Sequence, residues 1–570
     1  MLNLIKSYKE FVIGLILTLS LLWPLFVAPY FTHHDDVQVI RLYEMDKCIK
    51  DGQIPCRWVP DLGGLYGYPI FNYYAPLPYY FGEIFYLPTG SLLLAVKIMF
   101  AVSFVGSYFF MYLLGQKYWG KLGGSLSGIF YSFAPYHALD FYVRGAMGEL
   151  WGLMLFPAIL WAVTRLYERL NIGNLLLLGL FVALLITSHN LSTMIFLPVV
   201  FLWVSLLFFK KKKYKFLWLS FLALILGLML SAFYLVPMIA EKNLVHVDTT
   251  TYGYFGYTEH FKGLKELFLR RDWGYGSSVR EIPAGEKEKV SFQIGWIHLL
   301  GWLLALWTSW KLWAKFRWAS VVILTSSIVV LFAIYMINPR SEFIWRAIQP
   351  LKYLQFPWRF MMLVAFFTSF IAGSLFLINN TRRKYLIWGG LIFVVVLFNF
   401  AYFRPEKFIQ TNDAKLLSGD NWDRQIKRSI FDYLPIYAKE PPAELAKDRY
   451  KILTGDSRIF NFEQGTNWFK FKTETRSHTI IRLSQYYFPN WKIFIDGKEA
   501  QIEYKNNSLG LMMIILGEGN HEVSGRLFDT PIRSISNIIT LSASGVVLLL
   551  LFVQFGRVKK WIEYYRKRIY

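Results

Sequence analysis

Apolar runs of roughly 17 to 25 residues recur along this chain, and at about 1.5 Å of rise per residue each can cross the hydrocarbon core of a bilayer. No water-soluble core requires runs of that length. The 570 residues are 55% hydrophobic and 19% aromatic, which with the runs predicts a polytopic α-helical membrane protein. The expected spans are roughly 10–30, 91–114, 122–138, 147–165, 174–189, 192–209, 216–239, 292–310, 318–337, 358–378, 385–402 and 536–555, about twelve, with both termini on one side. The segment from Phe11 to Tyr30 is longer than the apolar core of a secretory signal, and no small-residue cleavage site follows it. It therefore reads as a signal anchor and first span.

The formal charge of +23 could suggest nucleic acid as a partner, but the basic residues fall in short connections between spans. They are Lys6 and Lys9, Lys117 and Lys121, Arg165 and Arg169, Lys210 to Lys213, Lys311 with Lys315 and Arg317, Arg382 to Lys384, and Arg557 to Arg568. That distribution is the positive-inside pattern, so the termini are expected in the cytoplasm of a cell-membrane protein and nucleic acid is set aside. All the long segments, 31–90, 240–291, 338–357 and 403–535, then fall outside.

Three units follow: a membrane module over 1–402 with an external loop at 31–90, an extracytoplasmic domain over 403–535, and a last span with a basic tail over 536–570. The external domain is expected to be β-rich from 460; from Thr479 onward it alternates apolar and polar positions, and Asp496-Gly497 between two such runs is a hairpin signal, so a small β-sandwich is expected. Thr411 to Asp448 is too irregular to assign. Cys48 and Cys56, eight residues apart in the first external loop, could pair; free thiols are the simpler reading.

His33-His34-Asp35-Asp36 directly follows the first span and so lies at the membrane surface, where a carboxylate can be tuned for acid–base work. Arg144, Arg271 and Arg359 lie on external loops or at external span ends, as do His189 and Asn190, and guanidiniums suit a phosphate leaving group. Each Arg could instead anchor at the lipid interface, and His189 could simply cap a helix. Two adjacent carboxylates with two histidines could also hold a divalent cation, although four consecutive residues rarely converge on one ion and no cofactor is otherwise called for. Trp58, Tyr66, Tyr68, Tyr73 and Tyr74 could stack on sugar rings or form an interfacial belt.

The run Asp51 to Leu62, with Tyr66 to Tyr74, resembles a prokaryotic membrane-protein family labelled as related to 6-pyruvoyl-tetrahydropterin synthase. Further matches are Tyr142-Val143-Arg144-Gly145-Ala146 with Glu149, Ser188-His189-Asn190, Ser231 to Tyr234 with Pro237, Trp273 to Gly276, and Gln355 to Arg359. The run Tyr486 to Gly497 also resembles the end of the YfhO-like membrane proteins. Both families are placed in the GT-C glycosyltransferase superfamily, which implies a lipid-phosphate-linked sugar donor and an essential acid in the first external loop. The resemblance implies a polyprenyl-phosphate-linked sugar donor delivered from the lipid bilayer, an extracytoplasmic acceptor, inversion at the anomeric carbon, and Asp35 or Asp36 as general base. Relatives often carry one Asp followed by His, whereas this chain reads His-His-Asp-Asp. That order is similar to the His-x-Asp-Glu first-loop motif of other lipid-dependent glycosyltransferases, which favours Asp35. Substrate-binding candidates are His34, Arg57, Tyr68, Arg144, Glu149, His189, Asn190, Arg271 and Arg359. The competing expectation is a transporter or flippase of lipid-linked saccharides, for which internal repeats and mid-membrane charges would be needed.

Overall fold

A computed structural model describes residues 8–279, 289–378, 383–427 and 431–569. The chain is mostly helical and ends in a β-rich region before its last helix. Seven described helices are long and apolar enough to cross a membrane, or eight if one bent pair counts as a single span. The bent pair is Tyr214–Leu230 with Ala232–Ala240, turned by 74°, where the sequence predicts one span over 216–239. The remaining expected spans are shorter helices: Lys9–Ser20 with Pro24–Val27, Ile172–Ser188, and Trp296–Leu312. Met147–Glu168 is central, with 94% of its apolar window buried, whereas Pro531–Gln554 is peripheral at 11%. Apolar residues all round a helix require that central burial or a lipid environment.

The helical run Leu92–Ser132 is two expected spans in one, because Gly120 is non-helical at φ 76° and ψ −179°. A Cβ on Gly124 would lie 2.8 Å from the Tyr112 carbonyl, and one on Gly128 would lie 2.8 Å from the Tyr108 ring. The two halves therefore double back on each other at glycine-limited separation, as small residues permit between helices in a membrane. Basic connections gather at the turn end: Lys117 pairs with Glu168 at 2.6 Å, Lys213 covers Tyr167, Lys210 covers Trp318, and Lys9 covers Tyr385. Lys6 and Arg382 lie outside the described residues, as do the side chains from Arg557 to Arg568.

At the opposite end the first loop folds into helices Gln38–Lys50, Ile70–Tyr73 and Leu77–Thr89. Cys48 and Cys56 are joined in a disulfide with Cα atoms 5.5 Å apart, which corrects the expectation of free thiols. The eight-residue spacing brings the two Cα atoms into bridging range because the chain turns back after Lys50.

The β-region has eight main strands: β1 Tyr450–Thr454, β2 Ser457–Gln464, β3 Trp468–Thr475, β4 Thr479–Tyr486, β5 Trp491–Ile495, β6 Lys498–Ala500, β7 Leu511–Leu516 and β8 Gly519–Leu527. They form antiparallel sheets in the orders β2-β3-β8-β5-β6 and β1-β4-β7. Asp496 and Gly497 both have positive φ, 51° and 78°, the geometry of a two-residue hairpin turn. Strands begin at Tyr450, ten residues before the sequence suggests, because Gly455 and the positive-φ Asn461 interrupt the alternation of β1 and β2. Asp51 of the first loop accepts hydrogen bonds from the Thr466 amide (2.7 Å), the Thr466 hydroxyl (2.6 Å) and the Trp468 indole (3.0 Å). Trp58 packs on Phe488 and Trp491. The β-region is thus seated on the first loop.

Candidate functional site

The site is built where the short helix Pro135–Ala138 continues into a π-helix, Leu139–Arg144. The wider turn sets Asp140 and Arg144 side by side, and such insertions are frequent at functional sites. Gly145 ends the segment at φ 65°, and a Cβ there would lie 2.5 Å from His33, so both conformation and space demand glycine. The first loop is then clamped onto this segment: the His34 amide donates to the Val143 carbonyl (2.9 Å) and the Asp35 amide to the Arg144 carbonyl (2.8 Å). The Gln38 amide nitrogen adds bonds to the carbonyls of Gly145 (2.8 Å) and Asp35 (3.3 Å).

A cavity of about 240 Å³ opens beside this clamp, with His34, Asp35, Arg41, Tyr74, Arg144, Glu149, His189, Asn190, Tyr254, Trp358, Arg359 and Asp432 in its wall. Glu149 is its hub. It accepts from Arg144 (2.9 Å), from the Tyr136 hydroxyl, and lies 3.4 Å from Arg359 Nε, while Arg144 also pairs with Asp140. Two buried carboxylates therefore answer two buried guanidiniums, which leaves the set neutral and removes the penalty of an unpaired charge. The planes of Trp358 and Phe356 are stacked 4.9 Å apart, and Arg144 and Arg359 lie over them at 4.5 and 4.8 Å, adding cation–π attraction.

Arg359 is aimed by a strained turn. Gln355 sits at φ 62° and ψ −50°, and the Phe356 amide bonds back to the Leu354 carbonyl at 2.6 Å. This γ-turn is costly for a residue with a side chain, and such strain tends to be held in place at functional sites. Here Arg359 itself holds it, donating to the Leu354 carbonyl (2.6 Å) and to Gln355 Oε1 (3.1 Å). Asp432 is anchored by the Thr249 hydroxyl at 2.5 Å, and burial pushes its carboxyl above the usual range despite that bond.

Seven predicted residues, His34, Asp35, Arg144, Glu149, His189, Asn190 and Arg359, thus share one cavity. His189 also spends Nδ1 on Ser192, at 2.6 Å to its hydroxyl and 3.2 Å to its amide, so the capping reading holds beside the cavity position. Four others lie elsewhere. Asp36 turns to Arg424 at 3.6 Å. Arg57 is tied to Asn72, Asn537 and Asp529. Tyr68 accepts the Tyr433 amide with its hydroxyl, and Arg271 lies flat on Trp296 at 3.6 Å, as an interfacial anchor would. His33 bonds the Tyr30 hydroxyl, so the run His33 to Asp36 does not converge, and no group of three metal-ligating side chains occurs among the described residues. Tyr74, a stacking candidate from sequence, lies in the wall, whereas Arg41, Tyr254 and Asp432 were not singled out from sequence. Only Arg41, six residues after Asp35 in a helix leaving the site, offered a positional signal.

Apolar helices that converge on a charged cavity at one end define a polytopic membrane protein with a polar site at its surface. The chain belongs to the family described as the 6-pyruvoyl-tetrahydropterin synthase related domain, a membrane protein, whose model matches residues 71–404. A curated relative from Lactococcus lactis subsp. cremoris (strain MG1363), named "Uncharacterized protein", is 22% identical over 284 residues, 47% of this chain and 46% of its own. The chain therefore matches less than half the length of that relative. The cryo-EM structure of the arabinofuranosyltransferase AftD from Mycobacteria is similar over 70% of this chain and 27% of its own, at 11% identity and a TM-score of 0.43. At that score the likeness defines neither fold nor activity here.

Proposed function

We propose that this protein is a membrane glycosyltransferase that moves a sugar from a polyprenyl-phosphate-linked donor to an extracytoplasmic acceptor. The observation that carries the reading is an exposed carboxylate, Asp35, held by backbone bonds beside guanidiniums in one cavity at the mouth of the helix bundle. A lipid-linked donor enters from the bilayer, so its phosphate and its sugar must be received where helix ends meet water. In that setting Asp35 takes the proton of the acceptor hydroxyl as the oxygen attacks the anomeric carbon. The bond to the phosphate breaks on the opposite face, and the configuration inverts. A positioned base of this kind contributes about 100- to 10,000-fold in rate. Asp36, committed to Arg424, is left with a positioning role.

The test is purified protein in lipid nanodiscs, supplied with a panel of polyprenyl-phosphate sugars and cell-envelope acceptors. Release of polyprenyl phosphate with formation of an inverted glycoside is expected for one donor. Intact movement of the lipid-linked saccharide across vesicles, with no bond cleaved, would replace the enzyme with a transporter.

A further inference from the structure

Three guanidiniums face the cavity, and they are not equivalent. Arg144 is ion-paired with Asp140 and Glu149, both through Nη1. Arg359 faces Glu149 at 3.4 Å and donates through Nη1 to the Leu354 carbonyl and Gln355. Arg41 has no carboxylate partner among the described residues: its one hydrogen bond is Nη1 to the Tyr79 hydroxyl at 3.3 Å, and its plane rests on Tyr74, 4.0 Å from the ring centroid. A guanidinium has five N–H donors in a rigid fork, and among these three Arg41 is the cation whose charge no carboxylate ion pair answers among the described residues.

Its neighbours fix where that fork sits. The Tyr79 hydroxyl that Arg41 contacts donates in turn to Gln38 at 2.7 Å. Gln38 is the side chain that binds the Asp35 and Gly145 carbonyls. Arg41 and Asp35 are therefore linked by one relay, and both line the cavity. We infer that Arg41, rather than Arg144, is the primary contact for a phosphate oxyanion in this cavity, and that Arg144 and Arg359 are positioning residues that set Glu149 and the cavity wall. The charges decide between them: a phosphate at Arg144 would compete with two carboxylates already bound there, whereas at Arg41 it meets a partly exposed cation with no carboxylate ion pair. The inference rests on the glycosyltransferase reading for the nature of the phosphate, which belongs to a lipid-linked sugar on that reading and could equally be a free phosphate by its chemistry alone.

The full chain in nanodiscs separates these cases. Binding of decaprenyl phosphate in the bilayer and of inorganic phosphate in the buffer is measured for wild type, Arg41→Gln, Arg41→Lys and Arg144→Lys, each with its thermal midpoint. Arg41→Gln is expected to weaken decaprenyl phosphate about 10- to 100-fold, the span of a lost charge-assisted contact, with the midpoint unchanged. Arg41→Lys should recover part of the loss, since it restores charge but not the fork. Arg144→Lys should lower the midpoint more than the affinity. Parallel weakening of inorganic phosphate would assign Arg41 to the phosphate itself, and weakening of decaprenyl phosphate alone would assign it to a lipid-delivered headgroup; either supports the inference. Wild-type affinity in folded Arg41→Gln overturns it while leaving the glycosyltransferase reading standing. Absence of decaprenyl phosphate binding by wild type overturns both.

Discussion

Glu149 and Asp35 are two carboxylates about one cavity with opposite relations to stability. Glu149 is 1% exposed and shared by Arg144 and Arg359, so Glu149→Gln leaves buried cations short of a partner. A loss of about 3 to 5 kcal/mol is expected, as for breaking a buried pair from one side, read as a fall in unfolding midpoint in detergent. Asp432 offers a pH test. Burial raises its folded pKa above an unfolded value of about 3.9, so ionisation favours the unfolded chain. Its contribution is complete below the unfolded pKa and is lost as pH rises through the folded one. Asp432→Asn should flatten the pH dependence of the thermal midpoint and be the more stable protein at pH 7; an unchanged profile would remove Asp432 from the titrating groups. Arg144, Glu149, His189 and Arg359 were legible because each stands beside an apolar run, where a charge needs a reason. Arg41 and Asp140 were not. Arg41 sits within a helix of mixed composition, and the role of Asp140 depends on a π-turn that its sequence does not announce.

The helical elements were legible because hydrophobic length is a direct physical requirement of a bilayer. Even the doubling back at Gly120 could be anticipated, since Lys117 and Lys121 divide the two apolar runs. The bend between Leu230 and Ala232 could not, because Pro237 marks an interruption without its angle. Thr411 to Asp448 stayed unreadable because its short helices, such as Asp413–Leu416, are made by tertiary contacts: the Asp413 carboxylate accepts from the Leu92 and Leu93 amides at 2.7 and 2.9 Å, capping a membrane helix from outside. Those bonds put the exposed Thr89 and Ser418 at the same end of the bundle, away from the basic connection at Lys212. Cysteines introduced singly at Thr89 and Ser418 should therefore both react with an impermeant thiol reagent in intact cells, and one at Lys212 should not. Labelling of only one of the first two would break the topology.

Across the whole molecule, hydrogen bonds join the membrane helices, the first loop and the segment after residue 403. Asp51 ties the loop to Thr466 and Trp468, while Asp432 of the segment after residue 403 reaches the cavity wall. The segment after residue 403 thus contributes Asp432 and Tyr433 to a cavity otherwise lined by residues that precede it. Asp51→Ala should speed hydrogen exchange in Trp468–Thr475 and slow transfer, with decaprenyl phosphate binding spared; unchanged exchange would mean that the indole and aromatic packing around Trp58 suffices. On the proposed reading, Asp35 is the base of a transfer reaction carried out in that cavity. Its most direct test is the rate of glycosyl transfer from a polyprenyl-phosphate sugar by Asp35→Asn, which keeps size and backbone clamp but cannot take a proton. A loss of about 100-fold or more is expected in a protein whose thermal midpoint and decaprenyl phosphate affinity match wild type, with Asp36→Asn milder. Near-native transfer by folded Asp35→Asn would contradict it.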